Sequence, residues 1–221
     1  MKHPKMKYFF LFLYITLCLY FKAQNTPSSK LWNGISVNQK INKKLGSSYY
    51  ISYRTRSAYN YSIFGQASLA YQLSKSSKLK FKYRYTWKNT EGISYQHRYA
   101  LDFTKKHKLF KKTKLNYRGR LQNEIENIKE SSTNPFSSII RNKIIIDRKV
   151  SDKINVFAGY EHFSNITELN ITDSYRFYLG TLLDVGKKKQ LDIAYVYDQS
   201  VRVYKNFSPS NIISLKYNFS F

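Results

Sequence analysis

The sequence predicts an all-β protein: an antiparallel transmembrane β-barrel of the outer-membrane type, with ten or twelve strands, preceded by a cleaved signal peptide. Three observations carry this. Apolar and polar residues alternate with period two along most of the chain, the N-terminus runs from basic to apolar to small, and the chain stops on an alternating aromatic strand, LKYNFSF. Strands turn successive side chains to opposite faces, so period two assigns one face to an apolar medium and the other to water. KLKFKYRYTWK (78 to 88) shows the pattern in concentrated form. Leu79, Phe81, Tyr83, Tyr85 and Trp87 share one face, and Lys78, Lys80, Lys82, Arg84, Thr86 and Lys88 the other.

The first element is the leader. Lys2, Lys5 and Lys7 precede the apolar run Tyr8 to Phe21, after which Lys22, Ala23 and Gln24 turn polar. The run is shorter than the ~20 residues a membrane-spanning helix needs, and its order is that of a secretory signal cleaved after Ala23. The chain therefore divides into a signal peptide, 1–23, and a barrel domain, 24–221, with no composition break inside the latter. The single cysteine, Cys18, lies within the signal between Leu17 and Leu19, a setting unsuited to lipidation, and the mature chain would carry no thiol.

The strands follow in order. LWNGISVNQKI (31 to 41) places Leu31, Ile35, Val37 and Ile41 on one side, YYISYRT (49 to 55) Tyr49, Ile51 and Tyr53, and YSIFGQASLAYQL (61 to 73) Tyr61, Ile63, Ala67, Leu69, Tyr71 and Leu73. After 78 to 88 come ISYQHRYALDF (93 to 103), KLNYRGRLQNE (114 to 124), FSSIIRNKIIIDR (136 to 148) and INVFAGYEHF (154 to 163). YRFYLGTLLDV (175 to 185), LDIAYVYDQ (191 to 199) and NIISLKYNFSF (211 to 221) complete the series. Each is near the 9–11 residues that cross a bilayer when tilted. Eleven candidates conflict with the even number expected when both ends are periplasmic. Either 31 to 41 is partial or internal, leaving ten, or a broken strand brings the count to twelve.

The connections agree with a barrel. SKSS (74 to 77), VSDK (150 to 153) and GKKK (186 to 189) are short, whereas NIKESSTNP (127 to 135), SNITELNITD (164 to 173) and VRVYKNFSPS (201 to 210) are longer and polar. Short turns belong on the periplasmic side, which places the C-terminus there. KKHKLFKK (105 to 112) is the exception, a periplasmic connection that does not read as tight. Leu215, Tyr217, Phe219 and Phe221 share one face of the last strand, and this ending looks like the signal by which the barrel-assembly machinery captures its clients.

LWNGISVNQKINKKLGSSYYISYRTR, with Trp32, Arg54 and Arg56, and HRYALDFTKKHKLFKKTKLNYRGRLQNE, with its Arg120 to Glu124 string, together resemble an uncharacterised family of bacterial outer-membrane barrels, domain of unknown function 2490. The resemblance implies an outer-membrane β-barrel and brings no agreed activity.

With the apolar face toward lipid, alternation sends a basic set into the lumen: Arg54, Lys80, Lys82, Arg84, Arg98, Arg118, Arg120, Arg141 and Arg176. Asp102, Glu124 and Glu161 are the candidate salt-bridge acids, with Glu124 expected beside Arg118 and Arg120. Two readings of this lumen stand: one closed by Arg–carboxylate pairs, the other an anion-selective passage, since rings of Arg and Lys favour anions. The protein is thus expected to be structural or porin-like. An outer-membrane enzyme acting on lipid is the alternative, and a secreted basic protein binding polyanions a further one. No catalytic, metal or cofactor set emerges: by alternation His97 and His162 face lipid, and His107 falls in a turn. Formal charge is +25, from 38 Lys plus Arg against 13 Asp plus Glu, and would suit nucleic acid, but export removes that partner. The expected partners are outer-membrane lipid and the assembly machinery, and the expected state is a monomer.

Overall fold

The computed structural model describes residues 28–55, 60–89, 93–127, 136–167, 171–200 and 209–221. The expected signal peptide, residues 1–23, and Arg56 lie outside the described residues. Eleven strands follow one another: β1 (Ser28–Lys40), β2 (Leu45–Thr55), β3 (Tyr61–Gln72), β4 (Ser77–Asn89), β5 (Ile93–Phe110) and β6 (Thr113–Asn127), then β7 (Phe136–Lys149), β8 (Ile154–Asn165), β9 (Ile171–Gly186), β10 (Lys189–Ser200) and β11 (Ser210–Ser220). Each pairs antiparallel with the next, and β1 closes the barrel on β11.

That closure corrects the expected strand number. The segment from 31 to 41 is neither partial nor internal; it is a full strand paired with β2 on one side and β11 on the other. The β1–β11 pairing is parallel, running from Ser28 opposite Ser210 to Asn38 opposite Ser220. An odd count is geometrically allowed once the first and last strands run in the same direction. The even-number expectation assumed that both ends lie on the periplasmic side, whereas β1 begins level with the start of β11, at the end away from the C-terminus.

The strands of 11 to 18 residues leave short connections at the C-terminal end of the barrel, 41–44, 73–76, 111–112, 150–153 and 187–188. KKHKLFKK is not a loose connection: β5 runs on to Phe110 and meets β6 across two residues. His107 therefore sits in this extended, exposed hairpin, opposite Leu115.

Alternation is read out by the lipid face. Ile51 is 65% exposed, Tyr49 58% and Phe81 52%, while Ser52 and Ser48 beside them are buried. Leu215 and Phe221 also face outward. Polar groups on this face are costly in hydrocarbon unless satisfied, and tyrosine hydroxyls cap several of them. Tyr117 donates to Asn142 Oδ1 at 2.8 Å, Tyr195 to Asn211 Oδ1 at 2.5 Å and Tyr197 to Gln199 Oε1 at 2.8 Å. One use of a tyrosine-rich composition is thereby explained.

Not every apolar residue faces lipid. Phe157, Ala194, Val196 and Ile212 form a buried cluster inside the barrel, with Trp32, Ile145, Tyr178 and Leu182 against it. Glycines make the room for rings on this wall. A Cβ on Gly180 would lie 2.5 Å from the Phe157 ring, and one on Gly34 would lie 2.5 Å from the Tyr50 ring. Eight strands suffice for side chains to fill a barrel, so eleven leave space. The apolar cluster occupies part of it, and the rest is charged.

Candidate functional site

The charged interior is built by cross-strand neighbours. Asp102 on β5 lies directly opposite Arg120 on β6, and Arg98 opposite Glu124. Arg120 grips Asp102 with two hydrogen bonds, Nε to Oδ1 at 2.6 Å and Nη2 to Oδ2 at 3.0 Å, while Lys82 on β4 approaches Oδ2 at 2.6 Å. Glu124 accepts from Arg98 at 2.6 Å, from Gln96 at 2.8 Å and from Gln122 at 2.5 Å. Glu161, fully buried on β8, accepts from Arg118, from Arg141 Nε at 3.0 Å and from the Tyr178 hydroxyl at 2.5 Å. Gln122 Oε1 takes further bonds from Arg141 at 3.1 Å and from Arg120 Nη1 at 3.4 Å, which tie the three groups into one network. Arg176 pairs with Asp198 at 2.9 Å.

The pairing differs from the expected one. Glu124 bonds Arg98, not Arg118 or Arg120, because residues four apart on one strand lie roughly 13 Å apart whereas directly opposed residues are about 5 Å apart. Arg120, Gln122 and Glu124, the alternate members of the RLQNE string, supply three successive points of the network.

Within the lumen is a chamber of about 440 Å³. Arg54, Lys82, Arg84, Arg98, Arg118, Arg120, Arg141 and Arg176 line it, as do Lys143 and Lys216, against two lining carboxylates, Glu124 and Glu161. Lys80 stands elsewhere, in a cavity of about 370 Å³ at the short-turn mouth, where it donates to Ser48 Oγ at 2.6 Å. Lys40, Lys43, Lys44 and Lys78 share that mouth cavity. A neighbouring cavity of about 670 Å³ is lined by Lys188, Lys189, Asp184, Asp192 and Lys216. Lys216 therefore lines both a mouth and the chamber.

Aromatic rings support the arginines, both those that lack acids, Arg54 and Arg84, and two that are paired, Arg141 and Arg176. Arg54 lies 4.0 Å from the Trp32 ring centre and 4.7 Å from that of Phe64, and Arg84 lies 3.8 Å from the same Phe64 ring centre. Phe163 carries Arg141 at 4.3 Å and Arg176 at 4.5 Å. A desolvated cation over a ring gains about 2 kcal/mol, which offsets part of the cost of burying it. The sequence marks Trp32 only through the family resemblance and does not single out Phe64 or Phe163 as inward rings. Alternation assigns a face and not a medium, and Trp32 and Phe64 sit on the wet face. Lys216, between Leu215 and Tyr217, could have been found by the same alternation.

The sequence agrees with this architecture. Residues 29–206 match the family model described as protein of unknown function DUF2490. The chain belongs to the DUF2490 family. Among solved structures, this DUF2490 barrel is similar to LpxR from Salmonella typhimurium, at 8% identity and a TM-score of 0.53, covering 84% of this chain and 87% of that one. It is also similar to the β domain of the Bordetella autotransporter Brka, at 12% identity and a TM-score of 0.50, covering 78% of each chain. At such identities the likeness establishes the fold alone: a closed β-barrel of the outer-membrane type. No curated protein sequence matches the chain.

The histidines of the DUF2490 barrel lie apart from the chamber. His97 Nδ1 is 2.9 Å from the Tyr83 hydroxyl and His162 Nδ1 is 3.4 Å from Ser164 Oγ, both on the outer face. Among the described residues no three His, Cys, Asp or Glu side chains gather as a metal site.

Proposed function

We propose that this barrel gives small anions a selective route through the outer membrane, with the basic lumen as the selecting element. The observation that supports this is the charge of the chamber wall, ten cationic side chains against two carboxylates. Lysines at the mouth raise the local anion concentration, and Lys216 continues that charge inward. Side chains locked by ion pairs present fixed charge in a medium less polar than water, where a cation meets a high barrier and an anion a low one. The paired groups concentrate on β4 to β8, whereas Arg54 and Arg84 stand on β2 and β4 with rings and an amide for company.

The test is ion release from proteoliposomes holding the refolded barrel. Chloride should leave faster than potassium when each is followed with its own electrode, and Arg54→Gln with Arg84→Gln should reduce that preference. Vesicles that hold both ions, or that release potassium first, would contradict the proposal.

A further inference from the structure

We infer that the chamber is a binding site for a soluble anion bearing two or three linked phosphate groups, held by Arg54, Arg84, Arg98 and Arg176; this rests on the reading of the lumen as anion-selecting. Four guanidinium Nε–H groups, those of Arg54, Arg98, Arg118 and Arg176, are buried with no hydrogen-bond partner. A buried donor left unpaired is destabilising, and all four of these arginines line the one chamber. Arg54 is the plainest case. It makes ring contacts with Trp32 and Phe64, and among the described residues no carboxylate pairs with it. Arg84 bonds Gln66 Oε1 at 2.8 Å and 3.2 Å, an amide that leaves its charge uncompensated.

Charge gives the ligand its class. Ten cationic side chains line the chamber. Asp102, Glu124, Glu161 and Asp198 pair with members of this set, and Asp192 lies opposite Lys216 in the ladder. Five positive charges remain among the described residues. A chloride ion would compensate one of them. Linked phosphates, each bringing about one to two negative charges and several acceptor oxygens, approach the whole surplus. Guanidinium forks match phosphate oxygens in pairs, and rings beneath them fix their planes, so the donors are set before the ligand arrives. A chamber of about 440 Å³ holds an anion of that size with its waters.

Trp32 reports on the site because Arg54 and Arg176 both lie against its ring. Trp87 packs with Tyr61 on the outer face and is silenced by Trp87→Phe. The full barrel is refolded in a non-ionic detergent and titrated with sodium tripolyphosphate while Trp32 fluorescence is followed. A saturable change is expected, at concentrations at least tenfold below those needed with sulfate and absent with sodium chloride of equal ionic strength. Arg54→Gln with Arg84→Gln should weaken the response about tenfold or more. A response equal for tripolyphosphate, sulfate and chloride would overturn the site, a comparison that needs only the unaltered barrel. A stronger response to short-chain phosphatidic acid in the micelle would assign the arginines to lipid headgroups and overturn the soluble ligand. If vesicles keep their anion preference while the titration is flat, the site fails alone; if the preference is also missing, both readings fail.

Discussion

Asp102 is 2% exposed and holds two cations, Arg120 through a paired contact and Lys82 at 2.6 Å. Asp102→Ala removes the acid and leaves both cations buried, which should cost about 3–5 kcal/mol. Urea unfolding of the refolded barrel, followed by its heat-modifiable migration on a gel, measures this. Asp152→Ala provides the contrast, because that carboxylate meets Lys149 at 2.7 Å in open water and its loss should leave the urea midpoint where it was. An Asp102→Ala barrel as stable as the unaltered one would mean that the network contributes no stability. At this scale period two located the inward cations and acids, since one register governs a whole strand. It did not locate Val196 and Ile212. LDIAYVYDQ is apolar on both faces around Val196, as is NIIS around Ile212, and no pattern within a strand says which apolar face meets lipid and which meets other side chains.

Each strand presents one face to hydrocarbon, and Ile51, near the middle of β2, is 65% exposed there. A charge at that depth on a barrel's lipid face costs about 2–4 kcal/mol, falling to about 0–1 near the interfaces. Ile51→Arg should therefore lower stability in lipid vesicles by that larger amount. A charge at the same position on a soluble sandwich surface would be nearly neutral, so the absence of a cost would contradict the membrane assignment of this face. Alternation picks out all eleven strand segments, although the expected count was ten or twelve with 31 to 41 in doubt, and most bounds shift by a few residues. The β5–β6 hairpin was misread for a physical reason. Beyond the hydrocarbon both faces of a strand are wet, so Lys105, Lys106, Lys108 and Lys111 erase the alternation although the ladder continues.

For the whole molecule, the count of strands depends on closure, and closure depends on which strand ends meet. A single chain's alternation carries no record of the parallel β1–β11 seam. The chamber is likewise a property of the closed barrel, since its arginines come from β2, β4, β5, β6, β7 and β9. Sequence supplied the excess of positive charge and its inward direction; the division into a paired wall and an unpaired wall required the ring. The selecting role of that excess is tested most directly by the reversal potential of the purified barrel in a planar bilayer under a potassium chloride gradient. A potential displaced toward the chloride equilibrium value, and moved back by Arg54→Gln with Arg84→Gln, is the expected result. A potential displaced toward the potassium value, or a folded barrel that carries no current, would contradict it.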